Sequence, residues 1–328
     1  MKEIKLGTIG SGPIVHWLMD CVMLTEDVSY EAVYSRSLVK GQTLASEYGV
    51  SKVYTDMTEF LADPDVNFVY VASPNSLHYE QAKAALNAGK NVICEKPFAT
   101  KAVQVRELSG LAKDKGLFLF DATPTAFLPN LKILRRELPK IGPVKLVMGN
   151  YSQYSSRYDL VLKGERPNIF SREFGAGCLM DINYYNVYLH VSLFGKPLEA
   201  VYYPNLRDDL ADTSGVMVLR HDRFVGHLAG AKDTWGVNYF QIEGEKGFIY
   251  VEDGPNGLRS IRVVTKQSDE TFTDQLNPNR YIYEVNGIRD LVLSEDKQTC
   301  YDLLEITADT IEVMEYARKI AGLFFPGD

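Results

Sequence analysis

The strongest constraint in this sequence is an alternation. Over residues 1–122, short apolar runs give way repeatedly to stretches with helical spacing. Residues 3–9, 30–34, 67–72, 91–94 and 117–120 read as strands, and 14–24, 39–48, 77–88 and 102–115 as helices. The run Asn67-Phe-Val-Tyr-Val-Ala72 is apolar without alternation, as in a parallel strand covered on both faces. Strands separated by helices imply βαβ units and a doubly wound parallel sheet.

After residue 122 the rhythm changes. One long strand-like run (144–154) and an apolar helix (178–194) are followed by strands with no helix between them: 198–203, 213–219, 223–229, 239–243, 247–251 and 260–265. Turn signals such as Asp253-Gly254 join several of them, which predicts an antiparallel sheet. Two helical patterns, 281–293 and 301–321, close the chain. The expected class is α/β: a dinucleotide-type parallel domain over 1–122 and an α+β domain over 123–328.

Composition removes other classes. Lys and Arg number 35 against 43 Asp and Glu, a net charge of −8. That lacks the basic footprint of nucleic-acid binding or a polybasic membrane anchor. No apolar stretch reaches the ~18 residues of a spanning helix. Cys21, Cys94, Cys178 and Cys300 lie far apart with no CxxC, so they read as buried thiols in a reducing compartment, and the cytoplasm is the expected location. His16, His221 and His227 have no metal-ligand spacing, and His190 reads as structural; no catalytic metal is expected.

Three segments carry chemistry. Gly10-Ser11-Gly12-Pro13-Ile14 follows the first strand and opens a helix, as a phosphate-binding turn does. Pro13 suits the first helical position, whereas Val15 stands where Gly or Ala is usual. A methyltransferase, or a turn with no ligand, can also begin this way. At the end of the second strand, NAD binders usually carry Asp or Glu for the ribose hydroxyl. Here the residues are Tyr34-Ser35-Arg36-Ser37, with Lys40 a turn later. Ser35, Arg36 and Lys40 suit a 2′-phosphate, so NADP is preferred with NAD possible; a solvated loop arginine also accounts for Arg36. The third segment pairs Ser73-Pro74-Asn75-Ser76-Leu77-His78 with Glu95-Lys96-Pro97. Both follow strands at their carboxyl ends, where open parallel sheets bind ligands, and His78 opens a helix beside that crevice. Lys96 at such a place can stabilise a developing alkoxide, or it pairs structurally with Glu95.

With GTIGSGPI, SPNSLH, AALNAGKNVICEKP and GAGCLMDINYY in view, the chain resembles the Gfo/Idh/MocA family (glucose–fructose oxidoreductase, inositol dehydrogenase and relatives) along nearly its whole length. The resemblance implies a Rossmann domain and a second domain with an open, mainly antiparallel sheet. That sheet commonly joins subunits, so a homodimer or homotetramer is expected. It also implies hydride transfer between NAD(P) and a sugar, polyol or similar ring alcohol.

Asp181 and Tyr185 are four apart and share a helix face. By resemblance, Tyr185 holds the acid/base position and Asp181 orients the substrate, alongside Lys96. Asn183 and Asn186 depart from the usual Gly and Pro. Ala126 and Leu128 stand where many members have Arg and His, so the substrate is not inherited from well-known members. Arg172, before the glycine-rich turn, is a further substrate-contact candidate. The competing reading is a dinucleotide-binding sensor with the same fold and no turnover.

Overall fold

The computed structural model describes residues 3–207 and 209–328. The chain forms two compact units. One comprises residues 1–99, 103–124 and 279–308, the other 100–102, 125–278 and 309–328. A cut at residue 122 therefore misses two exchanges: residues 279–308 return to the first unit, and 100–102 go with the second.

The first unit holds a six-stranded sheet of β1 (Ile4–Ile9), β2 (Val28–Tyr34), β3 (Lys52–Tyr54), β4 (Phe68–Val71), β5 (Asn91–Glu95) and β6 (Leu119–Ala122). The order is β3-β2-β1-β4-β5-β6, and every pairing is parallel. Between strands run α1 (Pro13–Val22), α2 (Leu38–Glu47), α3 (Met57–Ala62), α4 (His78–Asn87) and α5 (Ala102–Lys115). All four residues of β4 are buried, as its unbroken apolar run requires. Asn91 looks out of place in so apolar a strand, but its side chain accepts from the Phe118 N–H and donates to the Asn67 carbonyl. It thereby ties together the starts of three strands. β3 and α3 went unread in the sequence: one has three residues, and the other is a single capped turn started by Asp56.

The second unit contains α6 (Pro129–Glu137), α7 (Tyr158–Leu162), α8 (Tyr184–Phe194) and α9 (Gly254–Gly257). Its sheet has β7 (Val144–Ser152), β8 (Glu199–Asn205), β9 (Ser214–Arg220), β10 (Val225–Ala231), β11 (Tyr239–Gly244), β12 (Gly247–Glu252), β13 (Ser260–Thr265) and β14 (Asp269–Phe272). The order is β14-β13-β12-β11-β7-β10-β9-β8, open at both edges and antiparallel except where β7 meets β10. That pair is parallel because the chain leaves β7, makes its helices, and returns through the meander β8-β9-β10. α10 (Tyr281–Leu293) and α11 (Lys297–Ile320) end the chain. The Sγ–H of Cys300 and the hydroxyl of Tyr301 donate to carbonyls of Leu119 and Leu117, fixing α11 along β6.

Alternation along β7 and β10 sets the two faces of the second sheet. Outward residues such as Met148, Tyr203, Val216 and Val225 are partly or fully exposed. Inward lie Gly149, Gly226 and Gly230, and these small residues admit the helix that follows Cys178. A Cβ on Gly230 would lie 2.7 Å from that of Asn183, and one on Gly226 would lie 3.0 Å from the His190 ring. The two unusual asparagines use this closeness. Asn183 donates to the Leu228 carbonyl, and Asn186 donates to the Ala229 carbonyl and to Asn183. The four cysteines are free and buried, and among the described residues no helix is long and apolar enough to cross a membrane.

Gly230→Val should lower stability by about 1–3 kcal/mol, the usual cost of overpacking. A urea titration that leaves the midpoint unmoved would contradict the close seam.

Candidate functional site

At the end of β1 the backbone turns through Gly10, whose φ of 115° favours glycine. A Cβ there would collide with the Ala72 carbonyl, so β1 and β4 can converge only with this residue. Gly12 caps α1 in an extended conformation without a side-chain cap, and Pro13 begins the helix. A Cβ on Gly12 would meet nothing within 4 Å. The first turn of a ten-residue helix thus opens into space without a side-chain cap, its Val15 N–H turned back to the Gly12 carbonyl, and the positive end of its dipole there fits a pyrophosphate. Ile14 lies within that first turn.

At the end of β2, Ser35 is buried, and its hydroxyl accepts from the Ser37 N–H. Ser37 in turn caps α2 through the Lys40 N–H. Arg36 and Lys40 are exposed on this turn, and no carboxylate stands at the strand's end. The donors fit a phosphorylated ribose better than a bare diol.

β4 runs into Ser73, Pro74 and Asn75, with His78 at the head of α4. His78 is buried. Its Nδ1 lies 3.0 Å from the Pro97 carbonyl and its Nε2 2.8 Å from the Ser73 carbonyl. Burial pushes its pKa down, opposed by those carbonyls. The ring braces the Ser73 loop against the segment after β5.

The end of β5 carries Glu95 and Lys96, with a cis peptide before Pro97. The Tyr70 hydroxyl donates to Glu95 at 2.5 Å. Burial raises the Glu95 carboxyl to about 7, while the Lys96 charge and the Tyr70 bond pull it back. Lys96 itself is half-buried. Three groups around it were not read from the sequence: Tyr281, Glu284 and Arg280. Glu284 is buried, and desolvation followed by the charges of Glu95 and Asp121 pushes its carboxyl well above the usual carboxylate range, with Arg280 opposing. The Tyr281 ring stacks on Trp17 of α1 and lies under the Arg280 guanidinium, which donates to its hydroxyl. Burial raises the Tyr281 phenol to about 12, with Arg280 and Lys96 opposing. Nothing local marks these residues; they arrive on α10, far along the chain.

In the second unit, Gly177 has a φ of 116°, and a Cβ there would collide with the Asp212 carboxylate. Asp212 holds the start of the following helix. Its side chain accepts from the Leu179 N–H and the Tyr202 hydroxyl, both at 2.6 Å, and its carbonyl accepts from Cys178. Burial raises this carboxyl to about 6. The stretch Leu179–Asn183 is π-helical before α8 begins, a wider turn often found at functional sites. It carries Asp181, which pairs with Lys232, a residue the sequence reading passed over. Tyr185 is buried edge-to-face against Tyr151 and Tyr184. Arg172 is half-buried, and its Nε–H donates to the Leu210 carbonyl. Leu128 is in the core and Ala126 is half-buried.

Residues 4–122 match the model of the oxidoreductase family with an NAD-binding Rossmann fold, and 138–250 match the GFO/IDH/MocA C-terminal domain. The chain belongs to the GFO/IDH/MocA oxidoreductase family. It is 33% identical to scyllo-inositol 2-dehydrogenase (NADP(+)) IolU of Bacillus subtilis, over 99% of each chain. It is 32% identical to the uncharacterized oxidoreductase YgjR of Escherichia coli, over 99% of this chain and 98% of that one. The 3-ketoreductase KijD10 of Actinomadura kijaniata shares the fold, with a TM-score of 0.84 at 20% identity and 97% of each chain covered. The family makes this chain a nicotinamide-dinucleotide oxidoreductase.

Glu95 gives a pH prediction. The folded protein keeps its proton up to about pH 7, whereas a free carboxyl loses it near 4.5. The Glu95 contribution to stability is therefore full below about 4.5 and falls as pH rises to about 7. Asp212, raised to about 6, adds a component of the same sign. Glu95→Gln should flatten the first component. Urea midpoints with the same pH dependence in both proteins would contradict it.

Proposed function

We propose that this enzyme interconverts a secondary alcohol and its ketone on a sugar, polyol or cyclic diol, with NADP(H) as cofactor. The observation that carries the reading is the set of residues at the carboxyl ends of β1, β4 and β5: an uncapped helix start behind Gly10 and Gly12, the Ser73–Pro74–Asn75 loop, and Lys96. Gly10, Gly12, Pro13 and Ile14 would hold the pyrophosphate. Ser35, Arg36 and Lys40 would hold the 2′-phosphate, and the Ser73 loop and Glu95 would line the nicotinamide end. When bound, nicotinamide would supply the two-electron acceptor or donor for the carbinol carbon.

The proton is the task of this chain's own side chains. In the oxidation, Tyr185 as phenolate would take the proton of the substrate hydroxyl, and Lys96 Nζ would favour that phenolate and stabilise the forming alkoxide. In the reduction, both roles reverse. Asp181 orients the substrate through its hydroxyls, and Arg172 is a further contact. Leu128 lies in the core where, by resemblance, many members carry a polar side chain, so the substrate is not inherited from theirs. The same reading makes the enzyme cytoplasmic and a homodimer or homotetramer. The half-exposed face bearing Tyr203, Val216 and Val225 supports assembly through the second sheet.

Lys96→Ala should cut kcat by about 100-fold or more, with NADP affinity by calorimetry nearly unchanged. Wild-type turnover in that variant refutes the assignment. Arg36→Ala should weaken NADP by about tenfold or more relative to NAD, in line with loss of a charge-assisted hydrogen bond. Equal losses for the two dinucleotides would remove Arg36 from the phosphate site.

A further inference from the structure

We propose that Lys232 is a positioning residue for the reaction, holding the Asp181 carboxylate in one orientation as a hydrogen-bond acceptor for a substrate hydroxyl. The proposal rests on the reading of Asp181 as the substrate-orienting group and names what sets that group's form.

Lys232 follows the last residue of β10. Its N–H donates to the Thr213 carbonyl, and its own carbonyl accepts from the Ser155 N–H, both near 2.9 Å or shorter. The backbone is therefore held on both flanks, by the chain entering β9 and by the chain leaving β7. The side chain then runs inward. It is only 3% exposed, an unusual state for lysine, and its ammonium donates to Asp181 Oδ2 while lying 5.3 Å over the Phe170 ring. A cation so deeply withdrawn from water is kept only by a paired anion, and here that anion is a carboxylate 26% exposed. The cation is hidden and its partner open, the arrangement expected of a support for a working group.

Two neighbouring acids have other duties. Asp212 accepts from Tyr202 and Leu179, and Asp233 accepts from the hydroxyls of Thr213 and Ser214. Cys178 also faces the pair, and its thiol is pushed far up by burial and Asp212. With one oxygen bound to an ammonium, Asp181 stays an anion and accepts hydrogen bonds. It therefore selects substrates with a free hydroxyl beside the reacting carbinol, and disfavours ethers or deoxy analogues at that carbon.

The test combines two readouts on the full chain with NADP. The first is the titration of the Asp181 carboxyl, followed by carbon-13 NMR of aspartate-labelled protein and assigned with Asp181→Asn. Lys232→Met should move that titration up by about one pH unit or more, and Lys232→Arg should leave it nearly in place. The second is kcat/KM on a panel of cyclic polyols and their deoxy analogues. Lys232→Met and Asp181→Asn should each cost about 10–100-fold, and the double variant no more than either alone, as for groups acting as one unit. Lys232→Arg should restore most of the loss, which a folding defect alone would not predict. An unmoved Asp181 titration in Lys232→Met, or an equal loss from that change in the Asp181→Asn background, overturns the proposal. Wild-type turnover in Asp181→Asn would refute the functional reading itself, and the role of Lys232 in the reaction falls with it. The two failures are separate, because the titration reports the pair whether or not the substrate uses it.

Discussion

The seam between β10 and the helix that begins at Cys178 governs what the second unit can present. Helices usually rest on a sheet through a layer of side chains. Here glycines on the inward face of β7 and β10 remove that layer, and Asn183 and Asn186 bond directly to strand carbonyls. Replacing packed apolar contacts with directional bonds fixes the helix in rotation as well as in distance. Asp181, Tyr185 and Lys232 inherit that precision, since the first two ride on the helix segment and the third on the strand's end.

The first unit solves a similar problem with backbone alone. Convergence of β1 and β4 at Gly10 leaves no room for a side chain, and Gly12 leaves the helix start without a side-chain cap. Around Lys96 the opposite strategy operates. Glu95, Asp121 and Glu284 are buried close enough to disturb one another's ionisation, and that field surrounds a single half-buried lysine. Perturbed acids gathered at strand ends are the usual mark of a working site.

Local signals made much of this legible. Gly-Ser-Gly-Pro after an apolar strand, the missing carboxylate after Tyr34, and Glu-Lys-Pro after β5 are written in neighbouring residues. So was the helix from Tyr281 to Leu293, although its destination was not. Residues that act by meeting across distance were invisible. Tyr70 is one more apolar strand residue until Glu95 is beside it, Lys232 is one of many lysines until Asp181 faces it, and His78 shows no bracing role until both its nitrogens meet carbonyls. The parallel pairing of β7 with β10 was hidden for the same reason, because strand direction depends on the whole path between them. Asn183 and Asn186 read as departures from a motif, and the space beneath them explains their presence.

The return of residues 279–308 to the first unit has a consequence for how the protein is made. The six strands emerge from the ribosome early, but β6 and α1 wait for α10 and the start of α11 to cover them, and Glu284 reaches the carboxylates near Lys96 only then. The dinucleotide-binding unit is thus finished almost last, after the intervening sheet has been synthesised. A nascent chain stalled within that sheet would hold every residue proposed for the phosphates and still lack Glu284 beside Glu95 and Asp121.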